Sequence, residues 1–343
     1  MAAQQDEGGV PFAVAHDFQT FRLLELPAEL VQLLEAPNPP PLSIKSLPPP
    51  ASNRPSAQPA YAVLCTPSKS FHIRQVQTSN SVFVTQPTLD AHGNDVPTPT
   101  TCAIAACTAT LELHPVDASA VASLEDALPL YDIISGEVDA THNGKSKAAV
   151  FADIPLSNGQ CEQGWTEIVA FETSGSSYRP SVNTLRQVWS SINAAALAEG
   201  MKLDSQFLGY DLAELVREEG YPASLAQAVF GHLASAGQDT SGQWSCLDRR
   251  KVVSFVGRTL LQAKQGSAGH SIADFVEEWK DSLPEAWRGD ADLMAIDGAY
   301  DNPTSTTIVA RGNAASATAE SVLPKATAAK GKWHERFAKT RKK

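Results

Sequence analysis

Asn143-Gly144-Lys145-Ser146 ends as a phosphate-binding loop ends, in Gly-Lys-Ser. Such a loop needs a glycine five residues before that Gly, so that its backbone N–H groups converge on phosphate. Asp139 stands there, and no apolar strand leads into the segment, so it reads as a solvated loop. The eight histidines are scattered, and none sits at i, i+4 with a carboxylate in a zincin pattern. Cys102 and Cys107 lack partner ligands at zinc-site spacing, and no G-x-S-x-G elbow exposes a serine. Asp274, Glu277 and Glu278 fall on the polar side of an amphipathic helix, where a solvated face is the better reading. No catalytic residue, metal site or cofactor is expected. The chain reads as one that works by binding.

The side chains suited to binding anions crowd the C-terminus. Residues 324–343 hold eight Lys or Arg against one Glu, a net +7; the other 323 residues hold 19 basic and 37 acidic side chains, a net −18. An acidic body repels phosphate and a basic tail attracts it, so any nucleic-acid contact is expected to be local. The candidate nucleic-acid-binding residues are Lys330, Lys332, Trp333, Arg336, Lys339, Arg341 and Lys342. The cations suit phosphate, and Trp333 or Phe337 could stack on an unpaired base. Nuclear import and plain solubilisation are the other readings of this tail.

A chain of 343 residues has room for two or three domains, and 43% hydrophobic with 19% charged residues is a globular composition. No run of about 18 apolar residues offers a membrane span. Met1 to Val10 is polar and acidic, without a signal-peptide core. Five cysteines without a C-x-x-C pair, mostly in apolar contexts, suit reduced thiols in a cytosolic or nuclear compartment.

Phe21 to Leu26 reads as a strand, after which Pro27 takes the first helical position and Leu30, Val31 and Leu34 form an apolar stripe. Nine prolines between Ala36 and Ala60 mark a surface insertion. Tyr61 to Val84 reads as a β-hairpin around a five-residue loop, Thr66 to Ser70. Its alternation slips after Val76, which predicts a bulge before Thr78-Ser79-Asn80, and Val82-Phe83-Val84 closes the unit. A loop over Gln86 to Thr101 is expected, then a strand ending Thr110-Leu111-Glu112-Leu113 and a helix over Ala118 to Leu128.

In the second half, Pro180 opens a helix with Val182, Leu185, Trp189, Ile192 and Ala196 at helical spacing. Helices follow over Asp211–Glu219, from Pro222, over Asp248–Lys264, and from Ser271, whose Asp274 completes a capping-box-like start. Leu293–Asp297 and Thr306–Ala310 read as two strands. Helix, helix, then hairpin is the winged-helix arrangement.

An Ala62-Val63-Leu64-Cys65 strand, a charged turn, a strand ending Thr78-Ser79-Asn80 and an apolar triplet resemble the Dcc family. These are the cohesion subunits of the alternative, chromosome-transmission-fidelity type of replication factor C clamp loader. Phe21 to Pro27, Leu42 to Ser46, Arg258 to Gln262 and Ile272 to Trp279 fit the same family, over residues 18–84, 101–133 and 165–313 with gaps. The resemblance implies an N-terminal β-rich domain that joins a small partner subunit and the C-terminal end of the large loader subunit in a barrel module. The winged-helix half would then face the leading-strand DNA polymerase and, weakly, DNA, with the sliding clamp an indirect partner. On that reading Leu64, Phe71, Ile73, Val76, Thr78, Ser79, Asn80 and Val82 are the candidate partner-binding residues. Family members commonly continue past the basic segment into a third winged helix. Here the sequence stops at Lys343, so duplex binding by a third unit is not expected.

The expected fold is α+β: an N-terminal barrel-forming β-rich domain, a helical linker and tandem winged helices. Its parts are a disordered tail over 1–15 and a partner-assembly domain over 16–135 with the proline-rich insertion at 36–60. A linker over 136–178, a helix plus first winged helix over 179–240, a second winged helix over 241–313 and a flexible basic tail over 314–343 complete it. The expected function is that of a non-catalytic, nuclear clamp-loader subunit linking clamp loading to the fork and to sister chromatid cohesion. The alternative is a winged-helix DNA-binding or chromatin regulator without clamp-loader partners.

Overall fold

Two long strands dominate the first third of the chain, where Val, Thr, Ile and Phe recur and extended backbone is favoured. The computed structural model describes residues 11–46, 62–90, 97–133, 144–235, 244–264 and 269–311, and its two compact units are 1–252 and 253–343.

In the first unit, β1 (Phe12–Val14), β2 (Leu23–Leu24), β3 (Ser43–Ser46), β4 (Ala62–Cys65), β5 (Ser70–Asp90) and β6 (Thr98–Val116) form one sheet. Its order is β1-β6-β5-β4-β3, with β2 also along β6, and it curls into a half-barrel. The β5–β6 register slips twice, at Thr78–Ser81 opposite Thr108 and again at Ile104 between Val84 and Thr85. Each slip adds local twist. At the base, Leu30 of α1 (Ala28–Leu34) packs with Leu64, Phe71 and Leu113 in a small core.

Several expectations give way here. Residues 12–14 lie in the span read as a disordered tail, yet they pair in parallel with Thr101–Ala103 of β6. Pro27 caps α1 from outside rather than opening it. The strand after Val84 continues through Pro87 to Asp90 where a loop was expected. Pro87 is tolerated because β5 is an edge there, and a missing N–H costs an edge nothing. The proline-rich span 47–61 lies outside the described residues.

A helical layer covers the sheet's base. It comprises α2 (Val121–Ala127), α3 (Lys147–Asp153) and α4 (Asn158–Glu167), whose core includes Leu124, Phe151, Cys161 and Trp165. Much of 136–178, expected as linker, is therefore ordered structure. Ser157 and Gln160 form a reciprocal capping box at the start of α4. A small sheet of β7 (Leu130–Tyr131), β8 (Phe171–Thr173) and β9 (Ser176–Pro180) follows, in the order β7-β9-β8. Then come α5 (Val182–Ala198), β10 (Phe207–Leu208), α6 (Gly209–Glu218), α7 (Ala223–Leu233) and β11 (Trp244–Ser245), with β10 and β11 antiparallel.

The division between units falls inside α8 (Arg249–Ala263). The second unit continues through β12 (His270–Ser271), α9 (Ile272–Asp281), two 3-10 helices, β13 (Tyr300–Thr304) and β14 (Thr307–Ala310). Its sheet order is β12-β14-β13, and Phe275, Trp279, Ile296 and Ile308 are buried. Leu293–Ile296, expected as a strand, is a 3-10 helix because Asp292 caps it, accepting the Met294 N–H at 2.8 Å.

Candidate functional site

The residues weighed for chemistry in the sequence make local contacts. Ser146 caps α3, Lys145 pairs with Asp153 at 2.5 Å, and an added side chain at Gly144 would meet Ser176. The described part of that stretch, from Gly144, leads into a helix start rather than the solvated loop expected. Glu278 pairs with Lys264, and Glu277 pairs with Lys280 at 2.8 Å. A cleft of about 620 Å3 beside β3 and α3 has its charges engaged in the same way. The Lys147 ammonium lies 2.8 Å from Glu162 and 5.0 Å from the Trp165 ring centre, while Glu172 accepts the Lys147 N–H. Among the described residues no group of three or more His, Cys, Asp or Glu could hold a metal ion, and no helix is long and apolar enough to cross a membrane.

The half-barrel offers a different kind of site. β4 pairs with β5 only from Ser70 to His72. Beyond that, no described strand pairs with the outer edge of β5 over Ile73–Gln77 and Val82–Leu89. A long edge of this kind presents backbone donors and acceptors that a partner strand can take up. The same side of the sheet ends in β3, beyond β4, and is closed differently. There Lys45 of β3 turns inward and donates to the carbonyls of Phe151 and Leu156, at 2.7 Å each.

The candidate partner-binding residues divide along this edge. Leu64 and Phe71 are buried in the chain's own core, and Ile73 is half-buried against it. These three hold the half-barrel together and offer little surface. Val76 is half-buried on the opposite face, and Ser79 and Asn80 lie exposed on the bulge, with Thr78 in the same backbone irregularity. Val82 is exposed. Since Gln77 opposes Ala109 and Val82 opposes Cys107, the bulge returns Val82 to the inner face that Ile73 occupies.

Sequence reasoning missed other exposed apolar residues, Phe12, Val14, Phe83 and Leu89. The apolar triplet Val82-Phe83-Val84 was a signal for one of them. Phe12 and Val14 carried none, because a three-residue strand inside a polar N-terminus has too few positions to show a period. The candidate nucleic-acid-binding residues Lys330, Lys332, Trp333, Arg336, Lys339, Arg341 and Lys342 lie outside the described residues.

One half-buried histidine joins α4 and α7 of the first unit. His232, in the last turn of α7, has Nδ1 at 2.9 Å from the Thr166 carbonyl in the last turn of α4. Burial pushes this imidazole below its ordinary value; the Thr166 bond and Glu167 pull it up and Lys251 pushes it further down. Lys251 meanwhile donates to the Ala234 carbonyl at the end of α7, at 2.7 Å.

A search of curated proteins finds no match to this chain. The family model described as sister chromatid cohesion protein Dcc1 matches residues 21–330, which takes in the half-barrel apart from β1, the helical layer and the described part of the second unit. The chain therefore belongs to the sister chromatid cohesion protein Dcc1 family.

Proposed function

We propose that this chain is a non-catalytic, nuclear subunit of an alternative replication factor C-like clamp loader, an adaptor that links clamp loading to sister chromatid cohesion. The observation that carries the reading is the outer edge of β5, paired by no strand among the described residues beyond His72, beside exposed Val82. An edge of this length is an aggregation hazard unless a partner covers it. The partners that fit are the small subunit and the C-terminal end of the large subunit of the loader, adding strands that close the barrel. Both helical sets support a winged-helix reading. In the second unit a helix, β12, α9, the 3-10 helices and the β13–β14 hairpin follow in that order, with β12 paired to β14. Such units would serve the polymerase and DNA. The alternative, a free-standing DNA-binding regulator, is weakened by α7, where a recognition helix would lie. Its sequence, Ala223–Leu233, holds no Lys or Arg.

Co-expression of the full chain with the small and large loader subunits tests this. Wild type should co-elute with both, and Val82→Glu, which places a charge on the inner face beside the edge, should release them. Co-elution unaffected by Val82→Glu would overturn the edge as the assembly site.

A further inference from the structure

Closing a barrel covers one face of a sheet. The distal half of β5–β6 carries apolar residues on both, although its inner face also holds Gln86, Thr88 and Asp90. On the inner face stand Val82 and Val84, beside Cys107 and Ala105 of β6. On the outer face Phe83, Thr85, Pro87 and Leu89 alternate along β5. The register places Thr101 and Ala103 beside Pro87 and Thr85, and Phe12 and Val14 of β1 beside Thr101 and Ala103. Phe12, Val14, Phe83 and Leu89 are 58%, 59%, 49% and 70% exposed.

The same outer face changes character along its length. Below the bulge it carries His72, Arg74, Glu112 and His114, with His114 and Glu112 at 3.5 Å. That is a water-facing composition. Above the bulge the paired residues Phe83, Thr85, Pro87 and Leu89, with Pro99, Thr101, Ala103 and Ala106 opposite, include no charge. A contiguous apolar patch of this kind marks a protein contact.

We propose that the distal β5–β6 ribbon is enclosed on both faces in the assembled complex. The partner that extends the β5 edge also lays an uncharged, apolar sheet layer over Phe83, Leu89, Phe12 and Val14. This rests on the partner reading above and adds a second contact to it. Two features select the occupant. The patch is continuous with the edge that no described strand pairs, so the segment that adds there lies beside Leu89. It also spans three strands, β5, β6 and β1, about 10 Å across at the usual strand spacing. A single added strand lies in the plane of the sheet and cannot cover that width, whereas a stacked layer about 10 Å above it can.

The test uses the full chain co-expressed with the small and large loader subunits, comparing Phe83→Glu and Leu89→Glu with Val82→Glu. Each outer-face variant should weaken assembly at least about tenfold, since a charge is driven into an apolar contact. The isolated chain should melt unchanged, because Phe83 is 49% and Leu89 70% exposed in it. In a second measurement, the thiol of Leu89→Cys, followed by peptide mapping, should react with a maleimide in the free chain and be shielded in the complex. Wild-type assembly by both outer-face variants, or equal labelling of the thiol, would overturn the enclosure. If Val82→Glu alone releases the partners, the edge reading stands and this inference fails; if Val82→Glu also assembles, the edge reading itself fails. A free chain that is dimeric, and becomes monomeric with Leu89→Glu, would make a second copy the occupant and overturn the proposal.

Discussion

The hydroxyl of Ser70, at the first position of β5, donates to the side-chain carbonyl of Gln160 in α4 at 2.6 Å. The same hydroxyl accepts the Ser157 N–H at 2.7 Å, and the Gln160 amide donates to the carbonyls of Val116 and Ala118 at 3.0 and 3.3 Å. The capping box of α4 thus doubles as the fastening between half-barrel and helical layer. Ser70→Ala removes the bond to Gln160 and the shorter of the two acceptors of the Ser157 N–H, leaving it Gln160 at 3.3 Å, which costs about 0.5–1.5 kcal/mol per bond lost. Urea denaturation of the full chain should show that loss. Stability equal to wild type would mean the node contributes nothing net.

Gly257 lies where an added methyl would stand 2.5 Å from Cζ2 of Trp279 and 3.0 Å from Ile296. Trp279 has little freedom to retreat, since its indole N–H donates to the Val253 carbonyl at 3.1 Å. Gly257→Ala should therefore destabilise the second unit by about 1–3 kcal/mol through overpacking. Gly231, in α7 with open space around its Cα, is the contrast: Gly231→Ala should gain about 0.5–1 kcal/mol. Thermal melts of the two variants should move in opposite directions.

The environment of His232 makes stability depend on pH. Its folded value lies below the unfolded one, chiefly through burial. As pH falls below about 6.5, the unfolded chain takes up a proton that the folded one resists. Its stabilising contribution is full above the unfolded value and is lost as pH drops toward the folded one. Denaturation midpoints should fall between pH 7.5 and 5.5, with a smaller drop in His232→Asn. Equal drops in both would assign the effect to other groups.

Deleting residues 324–343 removes the +7 segment from an otherwise acidic chain, and should abolish most DNA affinity. Each phosphate neutralised adds about −0.9 to the slope of log K against log salt, so four or five contacts give about −4. The truncated chain should show a slope near zero while still assembling with its partners. An unchanged slope would move the phosphate contacts elsewhere, with Arg250 and Arg258 the first places to look.

What could be read from the sequence follows from how each element is buried. α5 announced itself because Trp189, Ile192 and Ala196, all buried, recur at helical spacing. The hairpin slip after Val76 was legible for the same reason, since an alternation that breaks implies an extra residue. α4 was hidden. Its buried face is Cys161, Gly164 and Trp165, and Gly164 is there because Leu124 and Ala120 leave no room for a side chain. A helix that buries a glycine and a cysteine shows no apolar stripe. Two of the candidate partner-binding residues are buried for a related cause. Leu64 and Phe71 are the most apolar positions of the hairpin, and this small domain spends them on its own core with Leu30 and Leu113.

The inward turn of Lys45 bears on where another strand can add. β3 lies on the same side of β5 as the edge that no described strand covers, joined to it through β4. β3 is short, carries a lysine held beneath it by the carbonyls of Phe151 and Leu156, and follows the proline run Pro39–Pro41. Short length, an inward lysine and neighbouring prolines are features by which sheet edges resist extension. On this side of the sheet the stretch of β5 beyond His72 is therefore the better template for a further strand.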